Sequence, residues 1–235
     1  MIFKKLTILV LSTIVLSACG NGEGGRSNLD DSSDAQYQVR FVSVWDDIDF
    51  PTQFPSNAHF SGLVGATHSE IISFWSPGDL ASSGIKQVAE TGRKTLFLSE
   101  INTAFNNGDV DLILNGGSIG TSPGNVSYEF SINRSHSLVT LVSMVAPSPD
   151  WFVGVHGLDL FDPNQDDWVS SFTIELEVYD AGTDSGLTFR SANNQTEPRE
   201  IVALLSSQTS DTDFIKGLQS GTLQAIGSFI FTRIK

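Results

Sequence analysis

The stretch Phe172-Thr173-Ile174-Glu175-Leu176-Glu177-Val178-Tyr179 decides the fold class of this chain. Apolar side chains occupy every second position, and polar or aromatic side chains stand between them. Successive side chains of a β-strand point to opposite faces, so this alternation predicts a strand with one buried face and one solvated face. A sheet of such strands needs a second layer to cover its apolar side.

Similar runs, rich in Val, Ile, Phe and Thr, recur along the 235-residue chain between clusters of Gly, Pro, Asn and Asp. Clusters of this composition form turns. Seven or eight strands without long intervening helices predict an all-β fold, a two-sheet antiparallel β-sandwich with short inserted helices. The further predicted strands are Gln38–Trp45, Val110–Asn115, Val126–Ile132, Leu138–Val145, Trp151–His156, Leu187–Arg190 and Ala225–Ile234.

Two short helical patterns interrupt the strands. The first begins at Ser82 or Ser83 and ends before Gly92, because serine caps a helix N-terminus and glycine commonly follows the last turn. Its apolar face consists of Ile85, Val88 and Ala89. The second covers Ser99–Phe105, and both are short enough that we expect them on loops or plugging an end of the sandwich. Weaker patterns predict helical turns at Pro198–Ser206 and Asp211–Leu218.

The first residues are typical of a secretory leader. Two lysines precede an apolar run, Leu6–Leu16, which leads into Leu16-Ser17-Ala18-Cys19. A run of about 11 residues is too short to cross a bilayer core of roughly 30 Å as a helix. The last four residues resemble the bacterial lipoprotein signal, in which the cysteine is lipidated and becomes the first mature residue. We predict a signal peptide at residues 1–18 and a lipid on Cys19, with an ordinary cleaved leader as the alternative.

Cys19 is the single cysteine of the chain and cannot form an internal disulfide, so its position is better explained by lipidation. Gly20 follows it, rather than the aspartate associated with retention in the inner membrane, which favours the outer membrane. Residues 19–36 contain almost nothing that could be buried and are predicted to form a flexible tether. Residues 37–235 have the composition of one globular domain.

The charge balance limits the possible partners. The chain has 27 acidic and 13 basic side chains and a formal net charge of −14. Such a surface repels nucleic acid and anionic membranes and attracts cations. Because the sequence also contains no basic patch with interleaved aromatic residues, we exclude nucleic-acid binding.

Two acidic segments about thirty residues apart point to a cation. They are Pro147-Ser148-Pro149-Asp150-Trp151 and Asp180-Ala181-Gly182-Thr183-Asp184-Ser185-Gly186. Each lies at the end of a predicted strand, where loops can bring carboxylates from distant parts of the chain onto one ion. Calcium binds six to eight hard oxygen ligands, which carboxylates, carbonyls and water supply. The alternative is that these aspartates are solvated turn formers.

A second acidic loop, Asp162–Asp167, begins with the oxygen-ligand spacing of an EF-hand. Its continuation departs from that motif, because Asp167 stands where glycine is needed and Thr173 stands where glutamate is needed. We predict a solvated hairpin loop before Trp168, with a secondary ion site as the alternative.

The remaining candidates for chemistry are predicted to be structural. Ser61 and Ser185 lack the strand–Gly-x-Ser-x-Gly–helix context of an activated nucleophile, so we predict that the chain is not an enzyme. The histidines match no zinc spacing and are expected to hydrogen-bond loops together: His59, His68, His136 and His156. The tryptophans are expected to pack, with a sugar-binding face as the alternative: Trp45, Trp75, Trp151 and Trp168.

Several motifs in this order resemble the spondin N-terminal domain family, which is found in F-spondin, mindin and bacterial secreted proteins. The resemblance covers nearly all of residues 37–235. The motifs are Tyr37-Gln38-Val39-Arg40-Phe41, Phe54-Pro55, Ala58-His59-Phe60-Ser61, Gly65-Ala66-Thr67-His68, Ala81–Glu90, Ser143–Trp151, Asp180–Gly186 and Thr196-Glu197-Pro198.

The resemblance implies a calcium-binding antiparallel β-sandwich that serves adhesion and recognition of surface components. The metal ligands of the family correspond here to Asp150, Asp180 and Asp184. Tyr179 stands where the family often has tryptophan, which keeps an aromatic ring before the second acidic segment. The disulfide-forming cysteines of the animal domains have no counterparts in residues 37–235.

Together these observations predict a lipid-anchored envelope protein that binds calcium and recognises an unknown surface protein or polysaccharide. A periplasmic or surface hydrolase is the alternative, and it would need an acid–base pair between Asp150 and either His156 or Glu175. A purely structural role in the cell envelope is the third hypothesis.

Overall fold

The computed structural model of the chain describes residues 34–51, 53–205 and 225–235. The predicted signal peptide, Cys19, nearly all of the predicted tether and the predicted helical turn Asp211–Leu218 lie outside the described residues.

Within the described residues the chain forms short and long strands, two α-helices and one 3-10 turn, Arg134–His136. The helices are α1 (Ser83–Thr91) and α2 (Thr95–Asn107). The strands are β1 (Asp34–Ser43), β2 (His59–Phe60), β3 (Val64–His68), β4 (Val110–Asn115), β5 (Gly124–Asn133), β6 (Leu138–Ala146), β7 (Trp151–Asp159), β8 (Phe161–Asp162), β9 (Asp167–Trp168), β10 (Ser171–Leu176), β11 (Tyr179–Asp180), β12 (Ala203–Leu204) and β13 (Gly227–Arg233).

A four-stranded antiparallel sheet has the strand order β10-β13-β1-β5. Strand β1 begins at Asp34, four residues before the predicted strand, and it pairs with both neighbours along its length. Its side chains alternate in exposure, with Tyr37, Val39 and Phe41 fully buried. The alternation follows from the position of the sheet, because one of its faces covers the core and the other meets solvent.

The larger sheet has the order β12-β11-β7-β6-β3-β4, and β2 pairs with the end of β6. The two sheets enclose one core, in which Phe41 packs edge-on against Phe60 and Phe229 with ring centroids 4.8 and 5.0 Å apart. Such edge-to-face packing adds to the stabilisation from burial. This arrangement confirms the all-β antiparallel sandwich with short inserted helices.

The two helices cover the outer face of the larger sheet. Ile85 and Val88 of α1 and Ile101 of α2 are buried with Val64 and Val142 of the sheet in a second apolar cluster. The expectation that the helices lie on loops or plug an end of the sandwich was therefore wrong. Their apolar stripes instead bury a sheet face that would otherwise be exposed to water.

The ends of α1 confirm the sequence prediction. The Ser82 hydroxyl accepts a hydrogen bond from the Ile85 N–H at 3.1 Å, and Gly92 closes the helix with φ of +66°. Helix α2 begins at Thr95, four residues earlier than predicted. Glu100 of α2 accepts hydrogen bonds from the Gly84 N–H and the Ser82 hydroxyl, both at 2.7 Å, so the second helix caps the first.

Strand β3 was not predicted, although it lies at the centre of the larger sheet. Its sequence, Val-Gly-Ala-Thr-His, is buried at every position and shows no alternation. Gly65 lies so close to β6 that an added Cβ atom would be 1.9 Å from the Thr140 carbonyl oxygen. Packing therefore requires a glycine, which has low strand propensity, and this requirement hides the strand from a propensity argument.

Three predicted elements differ in the structure. The stretch Phe172–Tyr179 is not one strand, because β10 ends at Leu176 in the four-stranded sheet and Tyr179 begins β11 in the larger sheet. The predicted strand Leu187–Arg190 is a turn, in which the Ser191 hydroxyl accepts from the N–H groups of Leu187 and Thr188 at 3.1 and 3.0 Å. Its apolar signal arises from Phe189, which is buried in the core. The described part of the predicted helical turn Pro198–Ser206 holds the short strand β12 instead.

No helix within residues 34–51, 53–205 and 225–235 is long and apolar enough to cross a membrane.

The close approach at Gly65 gives a test of the fold. Gly65→Ala places a Cβ atom 1.9 Å from a backbone oxygen, so β3 and β6 must separate. We expect a loss of at least about 2 kcal/mol in the free energy of unfolding, measured by urea denaturation. Gly120→Ala is the matched control, because its Cβ atom would meet nothing within 4 Å. Equal stability of the two variants would contradict this packing.

Candidate metal centre

The two acidic segments meet where β7 begins and β11 ends. Asp150 directly precedes β7, and Asp180 is the last residue of β11, paired with Trp151 of β7. The Ala181 N–H donates to the Asp150 carbonyl oxygen at 3.1 Å. Antiparallel pairing of these strands therefore places Asp150 and Asp180 side by side at one end of the β7–β11 strand pair.

The Asp150 carboxylate is fully buried, and its two oxygens differ in their hydrogen bonds to the described residues. Its Oδ2 atom accepts from the N–H groups of Thr183 and Asp184 at 2.7 and 3.0 Å, and from the Thr183 hydroxyl at 3.2 Å. Its Oδ1 atom is inaccessible to water and has no hydrogen-bond partner among the described residues. An unpaired buried carboxylate oxygen is costly, so this atom is available to a ligand.

Asp180 holds a tight turn at the start of the loop that follows β11. It is 6% exposed, and its Oδ1 atom accepts from the Gly182 N–H at 2.7 Å. Gly182 has φ of +69°, and a Cβ atom there would lie 2.3 Å from the Glu200 carbonyl oxygen. Only glycine fits this turn, both because of its backbone conformation and because of the close approach of the chain.

Asp184 binds its own loop. Its Oδ1 atom accepts from the Gly186 N–H at 2.8 Å, and its Oδ2 atom accepts from the Asn194 N–H at 3.0 Å. Asp184 is 3% exposed and forms a backbone bridge with Gln195. Its carboxylate therefore closes the loop between residues 184 and 195, while its N–H group holds Asp150.

The pKa of Asp150 reflects this environment. Burial, followed by the negative charge of Asp180, raises the pKa of the Asp150 carboxyl to about 7. The hydrogen bonds from Thr183 and Asp184 oppose the rise, since they favour the charged form. A positive ion between the two carboxylates would lower the pKa of Asp150. It would do so because it would neutralise the repulsion and replace the lost hydration.

Two of the three predicted ligands interact electrostatically. Asp150 has a buried oxygen that no described residue hydrogen-bonds, and the charge of Asp180 acts on the Asp150 carboxyl. Over the part of the chain that the structure describes, no group of three or more Asp, Glu, His or Cys side chains converges as a metal cluster. The ligand roles of Asp150, Asp180 and Asp184 all stay predictions.

The second acidic loop forms a hairpin, as predicted. Strands β8 and β9 pair through Asp162 and Asp167, and the residues between them are exposed. The Asp162 carboxylate accepts from the Asn164 N–H at 2.9 Å and from the Gln165 amide at 2.7 Å. These contacts hold the Asp162 carboxylate within the loop.

Three histidines hold backbone segments together. His68 is buried and bonds the Ser69 carbonyl oxygen and the Thr140 hydroxyl, both at 2.8 Å. His59 lies 2.7 Å from the Asn57 carbonyl oxygen, and His136 lies 3.0 Å from that of Gly108. The four tryptophans are at most 3% exposed, so they form no sugar-stacking surface.

The acid–base pairs that a hydrolase would need are not assembled. His156 lies on β7, six residues from Asp150 and roughly 20 Å along the strand, where its ring packs against Trp75. Glu175 lies on β10 of the other sheet, opposite Ser228.

Comparison with known proteins identifies the family of this sandwich. The family Spondin_N matches residues 35–215. The chain belongs to the spondin N-terminal domain family. Human spondin-2 is 37% identical over 213 residues, and rat spondin-2 is 33% identical over 227 residues. Rat spondin-1 is 32% identical over 207 residues.

These alignments cover most of the chain but only part of each relative. They include 88%, 93% and 85% of the chain, and 62%, 68% and 25% of human spondin-2, rat spondin-2 and rat spondin-1, respectively. The chain thus spans about three fifths of the length of human spondin-2 and a quarter of that of rat spondin-1.

Sequence reasoning missed two residues of this spondin site. Thr183 binds Asp150 through both its N–H and its hydroxyl, and the Asn194 N–H binds Asp184. Thr183 lies between the predicted ligands, and a threonine inside an acidic turn is a recognisable signal for such a bond. Asn194 acts through its backbone, so its side chain gives no signal for this contact.

The pH dependence of stability tests the buried carboxylate of the metal-free spondin domain. The folded-state pKa of Asp150 lies above the ordinary value of 3.8, so the folded state binds more protons than the unfolded state between about pH 4 and pH 7. The stability contribution of this group therefore falls as pH rises through that window and is level above it. Melting temperatures in EGTA should show a smaller loss for Asp150→Asn than for the wild type.

Asp47→Asn is the matched control, since Asp47 is exposed. It should keep the pH profile of the wild type. A wild-type profile in Asp150→Asn as well would contradict the assignment.

Proposed function

We propose that this spondin domain is a lipid-anchored recognition module of the cell envelope, in which calcium fixes the loops at one end of the β7–β11 strand pair. The observation that carries the proposal is the buried Oδ1 atom of Asp150, which has no hydrogen-bond partner in the described part of the chain and is subject to the charge of Asp180. A bound calcium ion supplies positive charge to these carboxylates and links the segments that carry them. The role is binding rather than catalysis.

Each of the two carboxylates would bind the ion and keep its present hydrogen bonds. Asp150 would bind through Oδ1 while its Oδ2 atom keeps the three hydrogen bonds from Thr183 and Asp184. Asp180 would bind from β11 while it holds the Gly182 turn. Because one oxygen of Asp150 already fixes its orientation, little side-chain entropy remains to be lost on binding.

Loops whose backbone is restrained are suited to recognition. The loop of residues 184–195 is closed by Asp184, and the segment of residues 196–202 is hydrogen-bonded to Thr183 and Gly182, which precede that loop. Ion binding at Asp150 and Asp180 would restrain the start of this connected region. We propose that the region presents its surface to a polysaccharide or protein of the surroundings, as an adhesion module does.

Calorimetry with the metal-free protein tests the calcium site. Calcium at about 100 times its dissociation constant should stabilise the fold by about 2.7 kcal/mol and raise the melting temperature by about 5–10 °C. Asp180→Asn and Asp150→Asn should lose both the heat of binding and this rise. Asp162→Asn is the matched control, because it removes a carboxylate from the other acidic loop. Undiminished calcium binding in Asp180→Asn would refute the site.

The lipid anchor is tested separately in cells that express the full chain. Cys19→Ala removes the single thiol that can carry a lipid. We expect the wild type to partition with the outer membrane and into the detergent phase, and the variant to move into the aqueous fraction, because the apolar surface of the acyl chains is lost. Equal partition of both proteins would contradict the anchor and leave the calcium site unaffected.

A further inference from the structure

A groove between α1, α2 and the segment before β12 has a charge opposite to that of the chain. Its volume is about 360 Å³, and its lining includes Lys86, Arg93 and Arg199. The chain has 13 basic side chains against 27 acidic ones, so three cations in one small groove are a strong local concentration. This volume lies within the range of about 300–1,000 Å³ found for ligand sites.

Most of this positive charge is not neutralised within the protein. Lys86 lies 3.5 Å from Glu90, the single acidic residue in the lining. In the described part of the chain, neither Arg93 nor Arg199 forms an ion pair, and the Arg199 guanidinium donates to the Ala81 carbonyl oxygen at 3.4 Å. Two guanidinium groups therefore remain for an anion, and they bind carboxylate or sulfate oxygens well.

Hydrogen bonds restrain the backbone that carries the two arginines. Arg93 follows Gly92 at the corner between the helices, where the Gln87 side chain accepts from the Leu96 N–H at 2.8 Å. Arg199 precedes Glu200, whose N–H donates to the Gly182 carbonyl oxygen at 2.9 Å. Hydrogen bonds thus restrain both segments, which reduces the entropy lost on binding.

We propose that this groove binds an anionic polysaccharide through a sugar unit that carries carboxylate or sulfate. The groups around the cations favour sugar over acidic peptide, because Ser83, Gln87 and Thr91 can exchange hydrogen bonds with hydroxyls. Leu96 adds one apolar side chain, 43% exposed, against which a sugar ring can lie. An acidic peptide would bring further carboxylates close to Glu90 without hydroxyl donors.

Because the chain as a whole is acidic, the groove can attract an anion only at short range. Exposed charges separated by more than about 8 Å are largely screened at physiological salt, so the groove can hold an anion although the whole domain is acidic. A flat anionic membrane would meet the acidic surface as well as the groove, whereas a single glycan chain can enter the groove alone. The site is separate from Asp150 and Asp180, and the proposal does not depend on calcium.

Binding of the full chain to hyaluronate and to chondroitin sulfate, measured in EGTA at low and physiological salt, tests the proposal. The wild type should bind at least one of them, more weakly as salt rises, and should not bind neutral dextran. Arg93→Gln with Arg199→Gln should weaken binding by about tenfold or more, since two charge-assisted contacts are lost. Arg40→Gln, an exposed arginine of β1, is the matched control and should change binding less than about twofold.

A second pair of substitutions, Lys86→Gln with Arg93→Gln, keeps the test decisive if Arg199→Gln lowers stability. Loss of binding in either well-folded pair, with retention in Arg40→Gln, supports the groove. Equal binding by the wild type and both groove variants overturns the proposal, as does the absence of binding to both polysaccharides. Poly-L-glutamate bound as tightly as the polysaccharides would show a peptide site and overturn the assignment to sugar.

Discussion

The larger sheet must be covered on both faces, and the rest of the fold depends on this constraint. Strand β6 is buried from Val139 to Ala146, so its residues face the aromatic core on one side and the two helices on the other. The helices are therefore a third layer rather than additions to loops. Strands β3 and β6 also approach each other closely, because only glycine fits at position 65 between them. The four-stranded sheet covers one face and leaves its own outer side to solvent.

The same constraint explains which strands could be predicted. Phe172–Leu176 and Tyr37–Phe41 lie in the sheet with a solvated face, so their alternation is visible in the sequence. Strand β3, buried on both sides, shows neither alternation nor high strand propensity. Helix α1 could be bounded from Ser82 and Gly92, because caps are local signals. Where the helix packs could not be predicted, since the period of an apolar face does not identify its partner.

At the candidate metal centre, the sequence indicates residue types but not the direction of their hydrogen bonds. Asp150 and Asp180 are brought together by the pairing of β7 with β11, as the position of acidic residues at strand ends predicts. The use of each carboxylate oxygen depends on the loop backbone. Asp184 turns both oxygens toward its own loop, and Thr183 supplies two donors to Asp150, neither of which follows from spacing alone.

The acidic loop and the cationic groove share a backbone segment, which relates the two sites physically. Thr196 and Glu200 donate their N–H groups to Thr183 and Gly182, and Arg199 lies between these attachments. A displacement of the Asp180–Asp184 loop therefore moves the backbone that carries Arg199, whereas Arg93 is held by the helices. Order in the acidic loop contributes to the position of one groove cation without a direct contact between the sites. Because the groove also has Lys86 on α1 and Arg93 at the corner between the helices, its charge does not depend on that loop alone.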